Sequence, residues 1–513
     1  MRARTLTSPM LVAGFFSTAS LLLAACASDS TVAGGSSGSG GSTSSVGGGA
    51  SGGTRAGTGG STAVAGTAAG GQLSTTAGAG GSGGQITSRG CAPATGGSPA
   101  TGGSPATGGR PATGGSPATG GAGPATANVE DDGADCTVAA LPDSGTLTAI
   151  AKLPDPFKKL DGTRMTTKAE WRCRREEIRK MEEKYVYGVK PPPPQSVTGT
   201  VTNTTITVNV MDNGKSSSFS AGVKLPTSGT APYPVIIEYT TDTAGGFGPP
   251  LDPAVINSEG VALIYLPVYS VGAEGNGHGA NQKGAFYTLY SGGSATSLLT
   301  AWGWGVSRII DVIAKSGGSI LKADAVGVSG CSRFGKGALI AGVLDQRVAL
   351  TMPAESGTSG LPIWRNVNAE GGQTLANAYS EQPWFGDEFM PFLTSPTKAP
   401  LDTHELVAMV APRGLFIMDN PFIANLGPKS ASIGAQAGAE VYKALGAGDA
   451  ITYYSDVASG THCSMRPEWS TPLKNNIERF LKKTGTAPGV IKISSSANGS
   501  EADWVDWTTP TLN

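Results

Sequence analysis

Two kinds of hydrophobic pattern divide this chain. Over 197–210 threonine and valine alternate, and 216–225 does much the same, a period of two that predicts two antiparallel edge strands. Short unbroken apolar runs follow at 235–237, 261–265, 325–329, 348–350, 415–418 and 451–454. Runs without a polar face suit strands buried on both sides, as in a parallel sheet. Between them, helical stretches are expected over 298–314, 338–344, 435–445 and 473–481. A charged helix over 167–183, with Trp171 and Ile178 on one face, precedes the strands. The alternation predicts an α/β fold with a mostly parallel central sheet, helices on both faces and an antiparallel N-terminal extension.

The chain ahead of these patterns is of another character. Arg2 and Arg4 precede an apolar core from Leu11 to Leu23, and Leu23-Ala24-Ala25-Cys26 reads as a bacterial lipobox. Residues 1–25 are therefore expected to be a signal peptide, with lipid attached to Cys26 as the sole contact with a membrane. A plain signal peptide beside an unrelated cysteine is the alternative. The stretch 26–135 is rich in Gly, Ser, Thr, Ala and Pro, with prolines six residues apart at Pro93, Pro99, Pro105, Pro111 and Pro117. It holds too few large apolar side chains to offset the entropy of ordering, so it reads as a disordered tether. About 100 such residues would reach on the order of 55 Å. One globular domain is expected over 136–485, followed by a tail, 486–513, whose Trp504 and Trp507 fall in no periodic pattern. With 37 basic and 38 acidic residues, the net charge of −1 gives no support for a nucleic-acid partner.

Candidate chemistry gathers around 326–337, Val-Gly-Val-Ser-Gly-Cys-Ser-Arg-Phe-Gly-Lys-Gly. A buried strand turns sharply at Ser332 and resumes as an apolar helix, the geometry of a nucleophile elbow. The match to G-x-S-x-G is imperfect, since Phe334 stands in the second glycine's place and Gly335 follows it; an ordinary strand-to-helix turn is the bland alternative. Serine needs a base, and the base needs an acid to orient it. Of the three histidines, His278 lies in a Gly-rich loop well before the elbow, and His404 opens an apolar helix as a capping or packing residue. His462 follows the last strong strand, in the order serine, acid, histidine, and is the expected base. Glu355 and Asp419, each at a strand end, are both candidates for the acid. The Arg333 amide, opening the helix, can donate to an oxyanion. No His/Cys spacing fits a zinc site, and neither metal nor cofactor is expected.

The run Gly330-Cys331-Ser332-Arg333-Phe334-Gly335-Lys336-Gly337 resembles the G-C-S-R-x-G-K-G motif of the glucuronoyl esterases, carbohydrate esterase family 15. Further segments resemble that family in the same order: 153–157, 166–171, 299–308 and 411–416. The resemblance spans about 136–483 and implies an α/β-hydrolase fold. It implies hydrolysis of (4-O-methyl-)glucuronic acid esters, such as those joining glucuronoxylan to lignin; a monomer is expected. It favours Glu355 as the acid, adds the Arg333 guanidinium to the oxyanion site, and assigns Lys336, Gln373 and Glu381 to the sugar hydroxyls. It also implies a Cys331–Cys463 disulfide, clamping the serine's turn to the histidine's loop, and a Cys136–Cys173 pair. Cys91 is left alone in the tether, and Ile363 and 430–436 carry no cysteine where fungal relatives have a third bridge. Asn425 replaces the tryptophan that family members place before Leu-Gly-Pro. That exchange leaves open an acetyl or other carbohydrate esterase, or a surface-anchored carbohydrate-binding protein with little turnover.

Overall fold

The computed structural model describes residues 129–245, 251–486 and 488–513. The expected leader, Cys26, Cys91 and the tether as far as 128 lie outside the described residues. Among the described residues, no helix is long and apolar enough to cross a membrane.

Ten strands form one sheet: β1 (Ser196–Val201), β2 (Thr205–Asp212), β3 (Lys215–Lys224), β4 (Tyr233–Thr240), β5 (Ala262–Pro267), β6 (Leu321–Cys331), β7 (Val348–Ala354), β8 (Gly414–Met418), β9 (Ile451–Tyr454) and β10 (Ile491–Lys492). Their spatial order is β1-β2-β3-β5-β4-β6-β7-β8-β9-β10. The first three pairings are antiparallel and the rest parallel. This is the α/β-hydrolase fold, with its antiparallel extension at one edge. After β5 the chain returns to the other side of β4 to begin β6, a reversal that opens a crevice at the carboxyl ends of the strands.

Local chemistry moved several expected boundaries. The single strand read over 197–210 is a hairpin, β1 and β2. Thr202 Oγ1 accepts from the Thr204 and Thr205 amides at 3.3 and 2.9 Å, so the turn is made by the same residue type as the strands and is invisible to their alternation. The charged helix begins at Trp171, because Glu170 Oε2 takes the Thr166 and Thr167 amides at 2.8 and 2.9 Å and holds that turn apart. The helix expected from 435 starts at Pro428, where a first-turn proline loses no hydrogen bond. Its early turns carry serine and glycine, which hid it. The helix expected over 473–481 runs Pro467–Asn476 and passes into a wider turn, Ile477–Leu481.

Both ends of the expected 136–485 domain continue into the same body. Glu130 is paired with Lys190, Arg308 and Arg347, Asp131 with Arg179, and Asp132 with Arg175. Burial raises the Glu130 carboxyl, but these cations outweigh it and bring the pKa down to about 2. At the other end, β10 extends the sheet, and Trp504, Val505 and Trp507 cover a small cluster of Leu153, Ile363, Ile433 and Ala437. Ile363 bonds its amide to Ser430 O at 3.2 Å, so apolar packing stands where the third bridge is absent.

The elbow itself is supported from beneath. Arg413 is buried and donates to the carbonyls of Gly342, Asp345, Val348 and Met409, tying the end of helix Arg333–Leu344 to the start of β8. His404 is fully buried, bonds Pro154 O through Nε2 at 2.9 Å, and is pushed down by burial to about 4. It is a packing histidine.

Candidate active site

Ser332 follows the last residue of β6 and immediately precedes helix Arg333–Leu344, with φ 59° and ψ −125°. The turn closes because its neighbours lack side chains. A Cβ on Gly330 would lie 2.4 Å from Phe334 O, and one on Gly335 would lie 2.4 Å from Ala354 O. Gly335 thus provides the closeness that the displaced second glycine seemed to deny. Phe334 instead turns inward, 2% exposed, against Trp302. The Arg333 amide stands at the first helical position, where N–H groups have no acceptor within the helix. The turn is pinned by Ser332 N donating to Ala354 O and Lys336 N donating to Ser332 O, both at 3.0 Å.

The neighbouring strand ends deliver the other groups. Glu355 follows β7 with φ 45°, and its amide donates to Met418 O at 2.8 Å. His462 lies in the loop after β9, its Nδ1 2.5 Å from Glu355 Oε2. The same oxygen accepts from the Cys463 amide at 2.8 Å, while Oε1 accepts from Asn420 Nδ2 at 3.2 Å and Arg466 Nη2 at 3.3 Å. Burial opposes the Glu355 charge, but the bonds from His462 and Cys463 with the Arg466 cation prevail and hold its carboxyl below the usual range. Asp419 is the acid the structure does not bring to the histidine. It accepts from Asn420 N at 3.0 Å and Tyr453 OH at 3.1 Å, and burial pushes it up to about 7.

Cys331 and Cys463 are joined, with Cα atoms 5.7 Å apart, so the residue before Ser332 is bonded to the residue after His462. Cys136 and Cys173 form the second disulfide. Cys331, Cys463, Glu355 and His462 crowd within 4.8 Å, a spacing metal sites share. Here the sulfurs are bonded to each other, which leaves no thiolate, and the carboxylate is bonded to the imidazole.

A second group of residues lies beside the elbow. Lys336 is buried, its Nζ 2.5 Å from Ser356 O and 4.9 Å from the centre of the Trp384 ring. Burial lowers Lys336 to about 7, against the nearby Glu381 charge. Arg333 lies 5.6 Å from the same ring, donates to Glu274 Oε2 at 2.8 Å and comes within 3.8 Å of Glu381. Gln373 Nε2 donates to Glu381 Oε2 at 2.6 Å, and its amide donates to Asn425 O at 2.9 Å. All the expected sugar-side residues therefore meet in one network.

Sequence reasoning missed the residue at its centre. Glu274 receives Arg333, Trp384 Nε1 and Tyr269 OH, yet it sits in a Gly-rich loop with no motif of its own. Nor did it single out Asn420 and Arg466, which surround Glu355. The only signal for Asn420 was its position one residue after a candidate acid. His278 stays apart from the triad: its nitrogens face Asp387 Oδ1 at 2.7 Å and Tyr379 O at 2.8 Å.

Comparison with known proteins points to one family. A family model described as "Glucuronyl esterase, fungi" matches residues 208–446. A 4-O-methyl-glucuronoyl methylesterase of Hypocrea jecorina is 36% identical over 382 residues, 74% of this chain and 80% of that one. A mutant glucuronoyl esterase from Sporotrichum thermophile, solved in complex with methyl 4-O-methyl-β-D-glucopyranuronate, superposes with a TM-score of 0.67 at 36% identity, covering 74% of this chain and 100% of that one. A carbohydrate esterase family 15 glucuronoyl esterase from Caldicellulosiruptor kristjansonii gives a TM-score of 0.59 at 27% identity, over 71% of this chain and 99% of that one.

Proposed function

The chain belongs to the glucuronoyl esterases of carbohydrate esterase family 15, and we propose that Ser332, His462 and Glu355 carry its chemistry. It is a carboxylic ester hydrolase acting on esters of 4-O-methyl-glucuronic acid. Ser332 Oγ attacks the C6 carbonyl carbon while His462 Nε2 takes its proton. Glu355, bonded to Nδ1, fixes the tautomer and stabilises the imidazolium. The oxyanion forms against the Arg333 amide with its guanidinium close by, and His462 then returns the proton to the departing alcohol oxygen. Water, activated by the same histidine, releases the uronic acid from the acyl-enzyme.

The observation that carries this reading is the 2.5 Å Glu355–His462 bond on a loop covalently joined to the elbow. Lys336, Gln373 and Glu381 meet the sugar hydroxyls, and glucuronoxylan–lignin cross-links are the natural substrates. Ser332→Ala is expected to lower turnover of benzyl and methyl glucuronate by about a thousandfold or more. Turnover unchanged in that variant would remove the triad assignment.

The remaining parts of the organisation rest on sequence. Leu23-Ala24-Ala25-Cys26 supports export with a lipid on Cys26, and the composition of 26–128 supports a tether that holds a monomeric catalytic body away from the membrane. The mass of the mature N-terminus checks the lipid, and sedimentation of the full chain checks the monomer.

A further inference from the structure

Phe422 stands out on the surface of the described residues. It is 59% exposed and is the one aromatic side chain among the exposed large apolar ones. It is also held in place. Its amide donates to Asn420 Oδ1 at 3.1 Å, and Asn420 Nδ2 in turn reaches Glu355 Oε1 at 3.2 Å and Thr461 O at 3.4 Å. A Cβ on Gly460 would lie 2.8 Å from the Phe422 Cβ, so the histidine's loop approaches this residue through a glycine. Met465, 56% exposed, lies on the same loop two residues after Cys463. Two large apolar side chains thus face water, Met465 on the loop that carries His462 and Phe422 on the loop after β8 that packs against it, at the cost of leaving apolar area hydrated.

The chemistry says what should lie there. The acyl half of the ester belongs with Lys336, Gln373 and Glu381. The histidine hands its proton to the leaving oxygen, so the alcohol half must leave along the histidine's loop. We infer that Phe422 and Met465 form an apolar rim that receives the aromatic ring of the leaving alcohol and sets a preference for aryl over small alkyl alcohols. This rests on the esterase reading above. Phe422 also supplies an aromatic face three residues before Asn425, in the loop where that residue offers none.

The test is kcat/KM of the full chain for benzyl and for methyl glucuronate, before and after Phe422→Ala. The benzyl-to-methyl ratio is expected to fall about three- to tenfold, as the loss of one aromatic contact predicts, with a smaller fall for Met465→Ala. Phe422→Trp should keep or raise the ratio. An unchanged ratio, or an equal loss on both esters that would instead assign Phe422 to the sugar, overturns the inference while leaving the esterase intact. Failure of the unaltered chain to cleave either ester would instead bring down the reading on which it rests. Because Phe422 is exposed, near-ultraviolet circular dichroism of the variant should match the parent.

Discussion

Glu355 and Asp419 are carboxylates at the ends of adjacent parallel strands, and they have opposite fates. Glu355 collects an imidazole, an amide, an amide side chain and a guanidinium, and keeps its charge in a buried place. Asp419 collects one amide and one phenol, and burial pushes it up to about 7. Position at the crevice alone therefore does not bring a carboxylate to the histidine. What separates them is the loop after β9, which brings His462, Cys463 and Arg466 to Glu355, while Asp419 meets Tyr453 of β9 itself and the amide of the next residue.

The sharpest way to break that contrast is to neutralise each acid in turn. Glu355→Gln should lower kcat by about 10³ to 10⁴, the loss typical when a triad acid no longer holds its histidine. Asp419→Asn should cost no more than about tenfold. Kinetics on benzyl glucuronate decide it, and a larger loss for Asp419→Asn than for Glu355→Gln would exchange the roles. A smaller effect is expected from the disulfides. Removing either pair should destabilise the fold by about 2–5 kcal/mol. Only Cys331→Ser with Cys463→Ser should also lower kcat, by about tenfold or more, because Cys463 lends its amide to Glu355. Denaturant titration and turnover of the two double variants check this. Equal kcat losses would show that the clamp has no special tie to Glu355.

The smallest effect concerns pH. A carboxyl held low, like Glu355, contributes stability that is present above its unfolded value and lost as pH falls through its folded value. Asp419 has the opposite sign. Raised from 3.8 to about 7, it binds more proton in the native state than in the unfolded one across that window, so its contribution declines as pH rises. Melting temperatures of Asp419→Asn from pH 4 to 7 should lack part of the decline seen in the parent chain. Parallel curves for the two proteins would contradict the buried neutral acid.

What the sequence revealed was what depends on neighbours along the chain. The elbow is legible because its turn needs Gly330 and Gly335 within a few residues of Ser332, and the parallel strands because burial on both faces leaves unbroken apolar runs. Glu355 could be favoured over Asp419 only through a motif match, since His462, Cys463 and Arg466, which distinguish the two, lie more than a hundred residues beyond Glu355. Glu274 was illegible for the same reason: its partners Arg333 and Trp384 are distant, and a Gly-rich loop has no period. The ends of the domain were misjudged on composition. Glu130, Asp131 and Asp132 look like an acidic patch of linker, yet each meets a cation of the folded body. Trp504 and Trp507 show no pattern because each packs by itself against distant residues rather than along an element.

Ser332, Glu355 and Cys463 all turn the chain with positive φ, at 59°, 45° and 57°. Glycine would rest there most easily, and a side chain at such an angle costs on the order of 1 kcal/mol or more. None of the reactive groups could be supplied by glycine. At Cys463 the disulfide outweighs that cost, but at Ser332 and Glu355 durability and turnover pull in opposite directions. A substitution that silences the enzyme there can leave a sturdier protein, and a screen for heat resistance alone would drift toward inactive chains.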